Sequence, residues 1–254
     1  IPLRNKVAEI YARDGLMPES AKQYLQIAKL YSEKGELEKA VGLYRKALDI
    51  QPIDKPAIMG LNFLYEKMGN MGMAVEQMKE AVSLFPQDPE ILLRCAEIHI
   101  VADKLDEAEE YLRAVLSIEQ ANIRAKRLIG DVYIKKGNKD QAWVEYLPVL
   151  DEMLLDENYD DAIKILESFK DIDPVETGRR LVSLYMQLDD HLKVISELTA
   201  LGGIYIEKGK QKEALNCYKE AFKMNPDDAS LRDKVVELEK EVGRSQISIQ
   251  AEKD

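Results

Sequence analysis

The side chains that most often perform catalysis or bind metals are few in this sequence. It contains two histidines, His99 and His191, and two cysteines, Cys95 and Cys217. No set of these residues has the number and spacing of zinc ligands, and the chain has neither a nucleophile elbow nor a glycine-rich phosphate-binding loop. We therefore predict no catalytic residue, no metal and no cofactor, in a protein that is not an enzyme.

The few candidates are better explained by packing or solvation. His99 and Cys95 fall at positions where core residues recur along the chain, so both are predicted to be buried. Adjacent carboxylates such as Glu109 and Glu110 are typical of the solvated face of a helix. A catalytic carboxylate needs a cleft that shifts its pKa, and no pattern in the sequence indicates one.

Composition limits the classes of function. The chain has 254 residues, 46% of them hydrophobic, which is enough for a buried core and excludes a disordered chain. With 36 basic and 47 acidic side chains, its net charge is −11. We predict no nucleic-acid binding, because phosphate contacts need clustered Lys and Arg. We also predict no membrane insertion, because no apolar run approaches the roughly 20 residues of a membrane-spanning helix.

The cysteines and the first residue bear on localisation. Two cysteines cannot build a disulfide framework, so free thiols in a reducing compartment are expected and a cytoplasmic location is predicted. Because the chain begins with Ile1, we expect it to be part of a longer protein. A signal peptide lost from that protein stays an open alternative.

The elements that carry these residues repeat along the chain. A ring-bearing position recurs at intervals of 34 residues, at Tyr31, Tyr65, His99 and Tyr133. An alanine follows each of them by nine residues, at Ala40, Ala74, Ala108 and Ala142. A fixed period of this length indicates a stack of similar supersecondary units, each of which buries its apolar face against its neighbours.

Each unit contains two apolar stretches with helical spacing. Steps of three and four residues relate Tyr24 to Ile27 and Ala28, which places them on one face of a helix. A glycine such as Gly35 between the stretches is typical of a helix end, because glycine enters the left-handed cap conformation without steric cost. Asp88, directly before a proline, is typical of a helix start. Each unit is therefore predicted to be a helix, a tight turn and a second helix.

This pattern resembles the tetratricopeptide repeat (TPR) family. The resemblance rests on the small and aromatic residues of the first helix, the recurrent alanine of the second helix and a proline at the end of the unit, as at Pro52 and Pro86. The family's usual first-helix tryptophan is replaced by Tyr24, Ile58, Leu92 and Lys126. The resemblance implies an all-α superhelix, a TPR solenoid of about 14 antiparallel helices, which we expect to form a single domain over residues 1–244.

Departures from the period predict three irregular units. In three places the tyrosine position recurs after 20 residues instead of 34, so one helix must serve two successive units. We expect three-helix units at residues 1–54, 123–174 and 175–226. The shared helices are predicted at Ser20 to Lys34, Asp140 to Asp156 and Asp190 to Gly209. An odd number of helices reverses which helix faces the inner surface, so we expect the superhelix to change course around residues 143–210.

Two of the shared helices contain residues that disfavour helix. Pro148 predicts a kink or a break, because proline removes one backbone hydrogen bond. Gly202 and Gly203 have two interpretations, a hinge or a close contact between helices.

The two ends of the repeat array are predicted to differ. At the C-terminal end, Leu231, Val235 and Leu238 form the apolar stripe of a capping helix at residues 227–243, and residues 245–254 are predicted to be a disordered tail. At the N-terminal end, a helix from Leu3 to Arg13 has no preceding partner. A homodimer through this exposed helix is therefore a further expectation.

The family resemblance implies that the first helices line a concave groove that holds an extended peptide or a partner helix. The groove positions are predicted to be Leu25, Lys29, Met59, Phe63, Leu93, Arg94, Arg124 and Arg127. The apolar members would anchor a partner segment, and the basic members favour a segment that also carries acidic residues. The alternative is that Met59 or Leu93 belongs partly to the core and that the arginines pair with Glu97 or Asp131.

The predicted function is recognition. We expect a non-catalytic scaffold or adaptor that binds a peptide or helix of a partner protein in this groove. Two alternatives stay open: an interaction or regulatory domain of a larger protein, including an enzyme, and a self-associating module of a structural assembly.

Overall fold

The structure is a computed structural model that describes residues 2–251, with side chains described for residues 2–243. Over this part of the chain it is helical and contains no strand. The helices are α1 (Pro2–Arg13), α2 (Met17–Glu33), α3 (Leu37–Ile50), α4 (Lys55–Lys67), α5 (Met71–Leu84), α6 (Pro89–Val101), α7 (Leu105–Ile118), α8 (Ile123–Lys135), α9 (Lys139–Leu155), α10 (Tyr159–Ser168), α11 (Pro174–Gln187), α12 (His191–Glu207), α13 (Gln211–Met224) and α14 (Ala229–Ala251). The prediction of an all-α repeat protein with about 14 helices is confirmed.

The three shared helices occur where the shortened intervals predict them. They are α2, α9 and α12, and each is 17 residues long, whereas helices in the regular repeats have 13 or 14. Residues 1–54 contain α1 to α3, and residues 123–174 contain α8 to α10. Residues 175–226 contain α11 to α13, with α11 beginning one residue earlier, at Pro174. Each predicted range therefore contains three helices, although in 123–174 the helix α8 belongs to one compact unit and α9 and α10 belong to the other.

The helices cluster into two compact units, Ile1–Asn138 and Lys139–Asp254. The single domain over residues 1–244 and the change of course around residues 143–210 stay predictions. So do the capping helix at 227–243 and the disordered tail. The backbone of α14 is described to Ala251, the side chains from residue 244 onward are not, and residues 252–254 lie outside the described residues.

Packing in the first unit explains the recurrent alanine and tyrosine positions. Ala40, Ala74 and Ala108 are fully buried, which allows the two helices of each repeat to approach closely. Tyr65 and Tyr133 are buried between successive repeats, and His99 takes the same place in the repeat between them. Apolar side chains from α2 to α6 join in one core cluster. The core thus runs from repeat to repeat, as stacking requires.

The helix ends follow the local signals in the sequence. Gly35, Gly69 and Gly137 have φ values of 76°, 74° and 76°, the left-handed conformation expected of a glycine that ends a helix. Asp103 takes this place in the third repeat with a φ of 57°. Asp88 caps α6, because its Oδ1 accepts hydrogen bonds from the backbone N–H groups of Glu90 at 3.0 Å and Ile91 at 3.2 Å.

The second unit accommodates both residue types that disfavour helix. Helix α9 continues through Pro148, so of the two predicted outcomes the break does not occur, and the kink stays a prediction. In α12, Gly202 lies against the ring of Tyr218 from α13, whereas no atom would come within 4 Å of a Cβ added at Gly203. A close contact between helices therefore explains Gly202.

Candidate functional site

The predicted groove residues lie on the first helices of the first unit, α2, α4, α6 and α8, and differ widely in exposure. Phe63 is exposed by 53%, although it is a large apolar residue. Leu25 and Met59 are half-buried and pack against the core cluster. Leu93 is exposed by only 7%, as in the alternative that assigns it to the core. Among the four apolar groove residues, Phe63 is therefore the one that is exposed, and the other three are half-buried or buried.

Five of the eight predicted residues come together around one surface depression of about 300 Å³. Its lining consists of Met59, Phe63, Glu90, Leu93, Arg94, Glu97 and Arg124. Leu25, Lys29 and Arg127 do not line it. The depression therefore combines apolar side chains with two cations and two carboxylates.

The basic residue at its centre, Arg94, is already engaged within the protein. Its Nε donates to Asn62 Oδ1 at 2.8 Å and its guanidinium to Glu66 Oε2 at 2.5 Å. The Arg94 side chain is exposed by only 14%. Since a guanidinium held by an amide and a carboxylate is well satisfied, Arg94 joins α4 to α6 more than it offers charge to a partner.

A second carboxylate extends the polar contacts of Arg94 to helix α8. Glu97 lies 3.6 Å from the Arg94 guanidinium and accepts a hydrogen bond from Arg124. This is the pairing with Glu97 that the sequence left as an alternative. Arg124 nevertheless remains exposed by 63%, so only part of its hydrogen-bonding capacity is used.

Two of the predicted cations are unengaged. Lys29 on α2 and Arg127 on α8 are exposed, and neither has an ion pair or a side-chain hydrogen bond within the described residues. Together with Arg124, they are the predicted groove cations that a partner could reach.

Sequence reasoning missed Glu66 as part of this surface. Its carboxylate lies one helical turn after Asn62, and Asn62 is fully buried and donates to the backbone oxygen of Ala74 at 2.9 Å. The spacing of four residues between them was the available signal, since such residues share a helix face. What the spacing did not indicate is that Arg94, from the next repeat, lies opposite both.

The prediction that both carboxylates of the pair Glu109 and Glu110 are solvated is correct for Glu110, which is exposed. It is wrong for Glu109, which is half-buried. Glu109 accepts hydrogen bonds from Arg113 at 2.9 Å, from the Tyr133 hydroxyl at 2.8 Å and from Lys136 at 2.8 Å. Burial alone would raise the pKa of Glu109, but the hydrogen bonds from Lys136, Tyr133 and Arg113 outweigh it and lower that pKa to about 2. A carboxylate held ionised in this way stabilises the fold and is a poor general base.

His99 and Cys95 are buried together, as predicted. His99 Nδ1 lies 2.7 Å from the backbone oxygen of Cys95, and its ring lies 5.1 Å from that of Tyr111. Burial raises the pKa of the Cys95 thiol to about 11, so Cys95 is a neutral thiol at physiological pH and not a nucleophile.

The described residues provide neither a grouped set of metal ligands nor a membrane-spanning helix. Among these residues, no three His, Cys, Asp or Glu side chains are grouped so that they could hold a metal ion. None of the described helices combines the length and the apolar character needed to span a bilayer.

Comparisons with known proteins agree with this architecture. Family models described as tetratricopeptide repeat match residues 21–54 and 67–132, and one described as TPR repeat matches residues 202–232. The chain is 26% identical over 227 residues to protein O-mannosyl-transferase TMTC1 of Homo sapiens, covering 85% of this chain and 24% of that protein. It is 23% identical over 250 residues to TPR repeat-containing protein YpiA of Bacillus subtilis (strain 168), covering 86% of this chain and 59% of that protein.

The chain thus spans about a quarter of the first of these curated relatives and about three fifths of the second. A crystal structure of a tetratricopeptide repeat protein from Parabacteroides merdae ATCC 43184 superposes with a TM-score of 0.50 at 15% identity, covering 87% of this chain and 98% of that chain. Three matching repeat segments and a shared helical-hairpin fold lead to one conclusion. The chain belongs to the tetratricopeptide repeat family.

Proposed function

We propose that this chain is a non-catalytic protein-interaction scaffold that binds a partner segment on the first helices of its first unit. The segment would carry apolar anchors and acidic residues. The observation that carries the proposal is the exposure of Phe63, 53%, beside the depression between α4 and α6. The family's repeats form protein-interaction scaffolds, which supports the general role.

The exposed ring of Phe63 supports the apolar part of the proposal, because covering it with a partner would remove apolar surface from water. An exposed aromatic ring that a partner could cover contributes to binding through the apolar area removed from water, at about 25 cal/mol per Å². Met59 is half-buried at the same depression and lengthens the apolar contact. Aromatic side chains at such positions are frequent centres of binding energy.

The preference for acidic residues rests on the cations that the fold leaves accessible. Lys29, Arg124 and Arg127 are exposed on α2 and α8, whereas Arg94 is engaged by Glu66. Exposed guanidinium groups bind carboxylates with two parallel hydrogen bonds, which also orients the partner. Because the whole chain carries a net charge of −11, acidic segments would be attracted only locally, and the binding should weaken at high salt.

The absence of catalysis is part of the same proposal. It is supported by the state of two candidate reactive groups. Cys95 is a neutral thiol, and the carboxylate of Glu109 is held ionised by three donors. A cytoplasmic location remains a prediction.

A photo-crosslinking experiment tests the groove assignment. A photoreactive phenylalanine analogue replaces Phe63 in the native host, and the same analogue replaces Ile53 as the control, since Ile53 is exposed by 65% but does not line the depression. We expect partner segments that crosslink at position 63 and not at position 53, with leucine, valine or aromatic residues next to Asp or Glu. Equal crosslinking at both positions, or crosslinked segments without acidic residues, would contradict the proposal.

A charge reversal completes the test. Arg127→Glu should reduce crosslinking at position 63 by about tenfold or more, the loss expected when one charge-assisted contact becomes a repulsive one. Lys212→Glu, an exposed residue of α13 with the same change in net charge, should have little effect. If both variants behave alike, the acidic preference is wrong.

A second candidate comes from the human relative. That protein is named an O-mannosyl-transferase, and the matching region is 24% of its length. The chain would then be the interaction part of a larger protein that contains an enzyme. To distinguish the two candidate functions, the intact native protein is purified with its partners and its full amino-acid sequence is determined.

Self-association through the first helix remains a prediction. On α1, Leu3 and Ile10 are exposed by 76% and 46%, so the helix carries an uncovered apolar face. Light scattering over a concentration series tests it, and Leu3→Lys should dissociate any dimer that forms there.

A further inference from the structure

The largest cavity described lies away from the groove, between the second helices of two successive repeats. It has a volume of about 470 Å³ and is bounded by α3, α4 and α5. Ile58, Leu61 and Ala81 line it together with Leu48, Met73 and Leu84. Met73 and Leu84 are exposed by 53% and 47%, so the apolar surface continues from the cavity to the protein exterior.

Two of the side chains that line the cavity are small or polar. Gln77 and Ala81 line it on α5. One repeat later, 34 residues on, the same positions hold Tyr111 and Val115. Tyr111 packs against the core there, with its ring 5.1 Å from that of His99. Tyr111 and Val115 are larger than their counterparts Gln77 and Ala81.

Charged groups around the cavity are predominantly acidic. Asp49, Glu76 and Glu80 are exposed lining residues, against one arginine, Arg45. Arg45 is engaged, because it donates to the Tyr65 hydroxyl at 2.8 and 3.0 Å. Glu76 also pairs with Lys79 at 3.2 Å. Three carboxylates against one guanidinium leave the lining of the cavity net negative, whereas the accessible side chains predicted for the groove are cations.

A buried hydrogen-bond acceptor adds to this preference. Gln77 Nε2 donates to the backbone oxygen of Ile58 at 3.1 Å, and this contact assigns the amide orientation because a carbonyl can only accept. Gln77 Oε1 is buried and has no partner among the described side chains and backbone. An unpaired buried acceptor costs free energy that a ligand's N–H donor would recover.

We propose that this cavity is a second docking site, specific for a partner segment that inserts an apolar side chain of leucine size or larger and carries Lys or Arg beside it. The volume lies within the range of about 300–1,000 Å³ that ligand pockets have. The cationic residues would meet Asp49, Glu76 and Glu80. The scaffold would then bind two partners of opposite charge on different faces of the first unit.

The second unit contains a related but poorer cavity. Leu198, Leu201 and Tyr205 line it at the positions of Ile58, Leu61 and Tyr65, and its volume is about 250 Å³. Glu213 stands there in place of Met73. This second cavity is smaller, and it has a carboxylate where Met73 supplies apolar surface in the first unit. The proposal is therefore confined to the first unit.

Methionine-methyl NMR of the full chain, labelled at its methionine methyl groups, tests the site directly. Met73 reports on the cavity, and Met59 reports on the groove depression. The probes are two acetylated eight-residue peptides, one alternating leucine with lysine and the other alternating leucine with glutamate. We expect the lysine peptide to shift the Met73 signal in a saturable manner, to leave Met59 unchanged, and to bind at least tenfold more tightly at this site than the glutamate peptide.

Charge variants separate docking from general attraction to an acidic protein. The double variant Glu76→Lys and Glu80→Lys should weaken the lysine peptide at least tenfold, and the fold should survive because both residues are exposed. The control is Glu107→Lys and Glu110→Lys on α7, also exposed and with the same change in net charge. The proposal is overturned if Met73 does not shift, if Met59 shifts instead, or if the two double variants weaken binding equally.

Discussion

Gly202 lies directly against the ring of Tyr218, so that a Cβ added to the glycine would come within 2.5 Å of the ring carbon Cε2. This contact joins α12, the last of the shared helices, to α13. Because the space beside the Tyr218 ring has no room for a Cβ, the residue at position 202 is strongly constrained to glycine. This helix must pack on two repeats at once. Its neighbour Gly203 has no such constraint.

The first prediction compares these two glycines. Gly202→Ala should lower the free energy of unfolding by about 1–2 kcal/mol, because overpacking costs more than the roughly 1 kcal/mol that alanine adds to helix stability. Gly203→Ala should raise it by up to about 1 kcal/mol, since only the gain in helix propensity applies. Urea unfolding followed by the fluorescence of Trp143, the single tryptophan, measures both. Equal effects would show that the contact with Tyr218 is unimportant.

The second prediction separates groove from core on α4. Phe63→Ala should cost less than about 1 kcal/mol of unfolding free energy, because about half of the side chain is already exposed to water. Leu64→Ala, at the adjacent and fully buried residue, should cost about 2–5 kcal/mol. Circular dichroism during urea unfolding measures the difference. A large loss for Phe63→Ala would place the ring in the core and remove it from the proposed binding surface.

The third prediction concerns acid stability. The pKa of Glu109 is about 2 in the folded protein against an ordinary value of 4.5, so its contribution is complete above about pH 4.5 and is lost as the pH falls toward 2. Glu109→Gln should therefore lower the unfolding free energy at pH 7 by about 1–3 kcal/mol and make its dependence on pH shallower between pH 4.5 and 2. Unfolding curves recorded at intervals over this range measure both effects.

Glu110→Gln is the matched control, because Glu110 is the adjacent and exposed carboxylate. Its effect should stay within about 0.5 kcal/mol at every pH. If the two variants show the same pH dependence, the hydrogen bonds to Glu109 do not hold its carboxylate ionised.

The fourth prediction concerns the two thiols. Burial raises the pKa of both, but Cys95 is fully buried, with a pKa of about 11, whereas Cys217 is half-buried. Iodoacetamide at pH 7.5 should therefore modify Cys217 slowly and Cys95 only after unfolding. Mass spectrometry of the digested protein assigns the sites. Modification of Cys95 at the rate of Cys217 in the folded protein would contradict the packing around His99.

The shared helices illustrate how much of the fold is local. The predicted range Asp140 to Asp156 differs from the observed Lys139–Leu155 by one residue at each end, and the bounds of the other two shared helices differ by one to three residues. Tyrosine and alanine positions, glycine at helix ends and Asp88 at a helix start were all readable because each acts within one or two helical turns. Even the shortened intervals were visible, since a missing helix changes the period.

The candidate site was less accessible to sequence reasoning. Eight groove residues could be assigned to the correct helices by their period, yet whether each is free, paired or buried could not. Arg94 meets Glu66, 28 residues earlier, and Asn62, 32 residues earlier. Leu93 is covered, while Phe63 on the preceding repeat is not.

The sequence alone therefore determined the repeat architecture, the approximate number of helices, the family and the faces that pack. Tertiary structure alone decided which cations remain available, why Glu109 stays ionised, and that Gln77 and Ala81 line a cavity on another face of the first unit. The physical reason is how far apart along the chain the interacting residues lie. Helix formation and capping depend on neighbours a few residues away, whereas pairing, pKa and unfilled volume depend on side chains that distant segments bring together.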